Sequence, residues 1–143
     1  MIVAKQQLAM HIAEDKIPGH SNPEIDKFFT ATSMGAAHED TAWCGAFVSW
    51  CMANSGNAKV VADNRRSARA ADWRSWGAPL GKPSIGAVAV LRPLVPKSSG
   101  HVGFVNGEDG GRVVLLGGNQ HDQLCEAKFN KADVVQYRWL NWH

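Results

Sequence analysis

The chain has 143 residues, of which 45% are hydrophobic and 20% are charged, and its formal net charge at pH 7 is +2. These values are typical of one globular domain and argue against a disordered chain. The small charge gives no reason to expect a nucleic-acid partner. No stretch approaches the roughly 20 apolar residues of a membrane span, so membrane insertion is not expected.

The N-terminus lacks the basic start, the apolar run and the small-residue cleavage site of a signal peptide. We therefore expect synthesis in the cytoplasm without a signal peptide. The three cysteines, Cys44, Cys51 and Cys125, are expected to remain thiols. On one helix, Cys44 and Cys51 would lie about 10 Å apart, too far for a disulfide. There is no CxxC motif, and we expect neither a metal nor a cofactor.

The first part of the chain predicts helices. An imperfect apolar stripe indicates a helix over residues 3–17, which Pro18 and Gly19 end. A second helix is expected to begin at Asn22, an N-cap residue type followed by proline. A short helix is expected within residues 68–76. The following stretch, 77–83, has too many glycines and prolines to predict regular structure.

The stretch Trp43–Met52 predicts the central helix. Its apolar residues recur at i, i+3, i+4, i+7 and i+8, namely Cys44, Phe47, Val48, Cys51 and Met52. Asp40 and Thr41 precede this pattern and are N-cap residue types. Cys44 therefore lies in the first helical turn, where free backbone N–H groups and the helix dipole favour a thiolate. We interpret Cys44 as the nucleophile of a hydrolase.

The second part of the chain predicts strands. Five short apolar or alternating runs carry the signal, at residues 87–91, 101–105, 112–116, 124–127 and 134–138. Helices followed by strands joined through short turns indicate an α+β fold. We expect N-terminal helices packed on a mostly antiparallel sheet, in a single domain over residues 1–143.

Two polar residues on neighbouring strands are candidates to assist Cys44. His101 opens a strand after a flexible Ser-Ser-Gly segment and is the expected base. By strand alternation it shares a face with Gly103 and Val105, and the thiol and the ring can meet if the Cys44 helix packs on that face. Asn119 ends the next strand, where it would lie beside His101 and orient its ring.

Three segments carry a resemblance to a known family: Trp43–Cys51, Gly100–Val105 and Leu116–Gln120. Their sequences resemble the motifs of papain-like peptidoglycan hydrolases of the NlpC and CHAP families, particularly small phage and prophage members. The resemblance extends from about Ile17 to Gln120 and implies a papain-like fold. It also implies a Cys44–His101–Asn119 triad.

Two departures accompany this resemblance. Many CHAP domains have a glutamate two residues before the asparagine, where this chain has Gly117. The aspartate-rich calcium loop of some members is also missing, since residues 35–41 offer only Glu39 and Asp40. The resemblance makes Trp43 and Trp73 candidate substrate-binding groove walls. Asp40 is interpreted as a helix cap first and a substrate contact second.

The implied function is hydrolysis of a peptidoglycan amide, by a stem-peptide endopeptidase or an N-acetylmuramoyl-L-alanine amidase. A phage endolysin released by a holin and a secreted antibacterial effector are both compatible with the sequence. An effector would have a delivery system and an immunity protein as partners. The alternative is a papain-like acyltransferase or deamidase that acts on a protein or lipid, because the same triad serves it. A non-catalytic wall-binding relic is disfavoured, because both Cys44 and His101 are present.

Overall fold

The computed structural model describes residues 1–35, 37, 42–96 and 98–140. In this part of the chain the α-helices are α1 (Ile2–Leu8), α2 (Pro23–Asp26), α3 (Cys44–Ala53) and α4 (Ala58–Asp63). Short 3-10 helices span Lys27–Ala31, Ala70–Ser75 and Lys131–Asp133. The strands are β1 (Ala78–Leu80), β2 (Val88–Leu91), β3 (His101–Asp109), β4 (Arg112–Gln120), β5 (Gln123–Asn130) and β6 (Val134–Trp139). None of the helices described is long and apolar enough to span a membrane.

The six strands form one sheet in the order β1-β6-β2-β3-β4-β5, and all neighbours are antiparallel. The predicted α+β arrangement is therefore confirmed, and each predicted strand is present. The prediction for residues 77–83 was wrong, because this stretch contains β1. Ala78 pairs with Trp139 of β6, so pairing with an existing strand edge outweighs the local glycines and prolines.

The N-terminal helices differ in how well the sequence predicts them. Helix α2 begins as expected, with the Asn22 side chain accepting a 2.9 Å hydrogen bond from the Glu24 backbone N–H. The helix predicted over residues 3–17 instead ends at Leu8. A turn follows over residues 9–11, and the Ile12 carbonyl then accepts a 2.9 Å hydrogen bond from the Leu124 N–H of β5. Residues that the apolar pattern predicts to be helical therefore pair with the edge strand β5 instead.

Helix α3 lies in the main core, between the sheet and the N-terminal segment. The Phe47 ring packs edge to face on Phe104 of β3 and on Phe28, with centroid separations of 6.2 Å and 5.3 Å. Val102 belongs to the same buried cluster, whereas Val105 belongs to a second cluster on the other face of the sheet. Helix α3 thus packs on the face opposite to the one that strand alternation gives to His101. The helix covers the alternate residues of β3, because Val102 and Phe104 supply the larger apolar surface.

Candidate active site

Cys44 is the first residue of α3, and its side chain is almost fully buried, with 4% exposed. Burial alone would raise the pKa of the thiol. The hydrogen bond and charge of His101 outweigh burial, and the backbone N–H groups of Val102 and Gly45 add to their effect. Together they hold the pKa of Cys44 below its ordinary value. His101 therefore favours the thiolate form of Cys44 most, and the backbone N–H groups beside the thiol support it.

His101 is the first residue of β3, and its ring bonds the Cys44 thiol. The ring stacks on Phe129 of β5, with 5.2 Å between centroids and an interplanar angle of 29°. Burial would lower the pKa of His101, but the hydrogen bond and charge of Cys44 raise it further than burial lowers it. A hydrogen bond with Gln120 adds to this rise. The two groups thus favour a thiolate–imidazolium ion pair.

Gln120 orients the imidazole. Its Oε1 lies 2.9 Å from Nε2 of His101, and its side chain is buried. Its Nε2 donates to the carbonyl oxygens of Leu115, at 3.2 Å, and Cys125, at 2.8 Å. These two bonds fix the amide so that Oε1 accepts from the His101 Nε2–H. The imidazole Nδ1 is then left to face Cys44.

The sequence predicts that Asn119 lies beside the His101 ring, whereas the side chain that bonds the ring is that of Gln120. The register pairs Phe104 with Leu116, and its regular continuation would put His101 opposite Asn119. The pairing of β4 with β5 shifts by one residue between Gly117 and Gln120, and Asn119 has a φ of 58°. This bulge moves Gln120 onto the face that strict alternation gives to Asn119.

The glycine at position 117 is explained by the same arrangement. A Cβ at Gly117 would lie 2.6 Å from Oε1 of Gln120, and one at Gly103 would lie 3.6 Å from it. The Gln120 side chain thus lies across both glycines and occupies the space of a side chain at position 117. The acceptor beside the His101 ring is thus an amide three residues after position 117, where the resemblance leads us to expect a glutamate.

A groove with a volume of about 480 Å³ opens at the Cys44 end of α3. The described residues that line it are Met34, Ala42, Cys44, Ala68, Arg69, Ala70, Val95, Pro96, Ser98, Ser99, Gly100 and Asn119. Asn119 therefore lies at the site as predicted, but as part of the groove wall. Its left-handed backbone belongs to the bulge that turns it away from the position taken by Gln120.

The candidate tryptophan walls are not exposed to this groove. Trp43 is fully buried, and its ring stacks on Phe28 with the centroids 6.1 Å apart. Trp73 is also fully buried, and its indole N–H donates to the Ser67 carbonyl at 3.1 Å. Both predictions of substrate contact were therefore wrong, because both rings are buried in the hydrophobic core. The third candidate, Asp40, lies outside the described residues.

The segment from Ser67 to Ala70 forms one side of the groove and is fixed on α3. The backbone of Ala68 approaches Gly45 so closely that a Cβ on Gly45 would lie 2.5 Å from the Ala68 carbonyl oxygen. The Ser49 hydroxyl donates to the Ser67 carbonyl at 3.1 Å. Trp73 bonds the same carbonyl, so this wall has a fixed position relative to Cys44.

The described residues contain no group of three or more His, Cys, Asp and Glu side chains arranged to hold a metal ion. The Cys44 and His101 side chains are hydrogen-bonded to each other. A nucleophile, a base and an orienting amide in this arrangement are suited to acyl transfer.

Comparison with known proteins identifies the family. The sequence model of the CHAP domain matches residues 36–119, which is more than half of the chain. No curated protein and no solved structure gives a significant match. The matched range contains both Cys44 and His101 and ends one residue before Gln120. The chain therefore belongs to the CHAP family of papain-like domains, which in general act as peptidoglycan hydrolases or amidases.

Proposed function

We propose that this protein hydrolyses an amide bond of bacterial peptidoglycan with Cys44 as nucleophile and His101 as base. The observation that carries the proposal is the hydrogen bond between the two side chains. It lowers the pKa of the thiol and raises that of the imidazole. Gln120 takes the orienting role in place of Asn119, and the groove beside Cys44 is the substrate site.

The first half of the reaction forms a thioester. The Cys44 sulfur attacks the amide carbonyl carbon, and negative charge develops on the carbonyl oxygen. The backbone N–H of Cys44 is one of the first N–H groups of α3, which have no acceptor within the helix. It is a suitable donor to that oxygen. The imidazolium then gives its Nδ1 proton to the departing amine as the carbon–nitrogen bond breaks.

The second half regenerates the enzyme. The neutral imidazole takes a proton from water, whose oxygen attacks the thioester carbon. The carbon–sulfur bond then breaks, the acid is released, and the thiolate–imidazolium pair is restored. Throughout the cycle, the Gln120 oxygen accepts from the His101 Nε2–H. This bond keeps the ring from rotating away from the sulfur.

The bond cut would be either a stem-peptide bond or the bond between N-acetylmuramic acid and L-alanine. Either activity fits a phage endolysin that reaches the wall through a holin, or an effector that a secretion system delivers into rivals. The effector would require an immunity protein in its producer. The family match favours the cell wall over the alternative, transfer or deamidation on a protein or lipid.

The test is digestion of purified peptidoglycan, with mass spectrometry of the released fragments. We expect soluble fragments whose new amino terminus identifies the bond. Cys44→Ala should abolish their release, whereas Cys51→Ala, which removes a buried thiol two turns further along α3, should not. Full activity of Cys44→Ala would refute the mechanism. Intact peptidoglycan together with ammonia release or acyl transfer on a protein substrate would favour the alternative.

A further inference from the structure

We propose that Arg69 selects the substrate by binding a free carboxylate beside the scissile amide. The proposal rests on the peptidoglycan hydrolysis put forward above and adds a specificity-determining residue to it. The binding partner is defined by its chemistry, a carboxylate carried by the peptide that lies in the Cys44 groove.

The charge distribution of the groove is the first argument. Arg69 is the one charged side chain among the described residues that line it. Its side chain is 66% exposed, so the guanidinium is accessible to a ligand. Other lining residues are apolar and also exposed, with Met34 56% and Val95 64% accessible. A peptide in this groove therefore meets one cation and an apolar surface, which suits an acidic group next to small apolar side chains.

The fixed position of Arg69 is the second argument. Its backbone N–H donates to the Ser67 hydroxyl oxygen at 3.0 Å, within the segment that is held on α3. The Ser67 hydroxyl in turn donates to Asp72 at 2.7 Å. A cation on a fixed segment costs less entropy to engage than one on a free loop. Ser67 and Asp72 therefore position Arg69 at the groove without entering it.

The donors of the guanidinium are the third argument. The described contact of the Arg69 side chain is Nη1 to one carboxylate oxygen of Asp72, at 3.5 Å. This distance is at the limit of a hydrogen bond, and the contact uses one of five N–H donors. A guanidinium binds a carboxylate best through two parallel hydrogen bonds, as a planar fork. The weak contact to Asp72 leaves Arg69 able to form that fork with a substrate.

The stem peptide of peptidoglycan offers this chemistry at two places. Its D-glutamate is joined through the side chain, so the α-carboxylate stays free unless it is amidated. Where the third residue is diaminopimelate, a second free carboxylate follows. The first lies next to a stem amide bond. The second lies at the far end of the diaminopimelate side chain, next to an amide only where that residue is cross-linked, and both present two coplanar oxygens. Synthetic peptides that remove one carboxylate at a time distinguish the two sources.

The experiment compares kcat/KM for matched stem peptides. One pair has D-glutamate or D-isoglutamine at position two, and another has diaminopimelate or lysine at position three. We expect the wild-type protein to prefer one carboxylate peptide. Arg69→Gln should lower kcat/KM for that peptide roughly 10- to 100-fold, mainly through KM, as expected for loss of a charge-assisted bond. It should leave kcat/KM for the matched peptide without that carboxylate within about twofold, since that peptide lacks the proposed partner of the cation.

Arg74→Gln is the matched control, because Arg74 is an exposed arginine outside the lining of the groove. It should change neither peptide's kcat/KM. A carboxylate preference that survives Arg69→Gln, or equal cleavage of both members of each pair by the wild type, overturns the role of Arg69 and leaves hydrolysis by Cys44 standing. If the wild type cleaves neither the peptides nor whole peptidoglycan, both proposals are overturned.

Discussion

The two ends of α3 carry the same kind of side chain with pKa values shifted in opposite directions. Cys44 opens the helix, and Cys51 lies two turns further on, with 4% and 5% of their side chains exposed. Burial raises the pKa of the Cys51 thiol far above its ordinary range, with only weak opposition from distant charges. At Cys44 the hydrogen bonds of His101 and of two backbone N–H groups reverse that effect. The polar groups beside the thiol, rather than its exposure, thus set the direction of each pKa shift.

The largest expected difference between the two ends is in alkylation by iodoacetamide. At neutral pH we expect Cys44 to be labelled at least 100-fold faster than Cys51, because only Cys44 has a lowered pKa. Labelling of Cys44 should slow as the pH falls through that lowered pKa, since the thiolate is then protonated. Mass spectrometry of tryptic peptides measures both rates. Equal labelling of the two cysteines in the folded protein would contradict the comparison.

A smaller effect, on the pH dependence of activity, is expected when the side-chain amide of Gln120 is removed. The ion pair forms above the lowered pKa of Cys44 and is lost above the raised pKa of His101, so activity against pH should be bell-shaped. Gln120→Leu removes a bond that raises the pKa of His101. The alkaline limb should therefore move to lower pH, and kcat should fall roughly 10-fold.

Asn119→Ala is the matched control for the Gln120 variant, because it alters the neighbouring residue in the groove wall. It should leave the alkaline limb in place. A shift of that limb in Asn119→Ala, with none in Gln120→Leu, would return the orienting role to Asn119. The pH dependence of kcat separates this role from a loss of folding, which would lower activity without moving the limb.

The smallest expected effect concerns backbone packing at the reactive end. Alanine normally favours a helix over glycine, but a Cβ at Gly45 would lie 2.5 Å from the Ala68 carbonyl oxygen. We expect Gly45→Ala to lower the free energy of unfolding by about 1–3 kcal/mol. Gly81→Ala, with no atom within 4 Å of the added Cβ, should be nearly neutral. Urea unfolding measures both, and a stabilised Gly45→Ala protein would refute this packing.

Sequence reasoning succeeds where a local pattern has one physical solution. The spacing from Cys44 to Met52 predicts α3, and the apolar runs predict five of the six strands. Asn22 followed by proline predicts the start of α2, where the side-chain cap is present. In each case the residues that determine the element lie within it, so no knowledge of distant contacts is needed.

Sequence reasoning fails where a distant contact decides the outcome. Alternation assigns Asn119 to the face of His101, and only a bulge in the pairing of β4 with β5 transfers that place to Gln120. The burial of Trp43 depends on Phe28 and on Gly118, whose Cβ would lie 2.6 Å from the Trp43 ring. Neither the bulge nor these contacts has a periodic signal, although the paired glycines before Asn119 mark a place where a bulge is easily formed.

The hydrogen bonds of Gln120 restrict the chemical type of the third member of the site. Its amide donates to the carbonyls of Leu115 and Cys125 while its oxygen accepts from His101. A carboxylate could accept from the imidazole but has no proton for either carbonyl, so glutamate at this position would leave both oxygens without their donor. The same amide therefore links two strands and aligns the base. A substitution of Gln120 therefore changes the contact between β4 and β5 and the position of the base together.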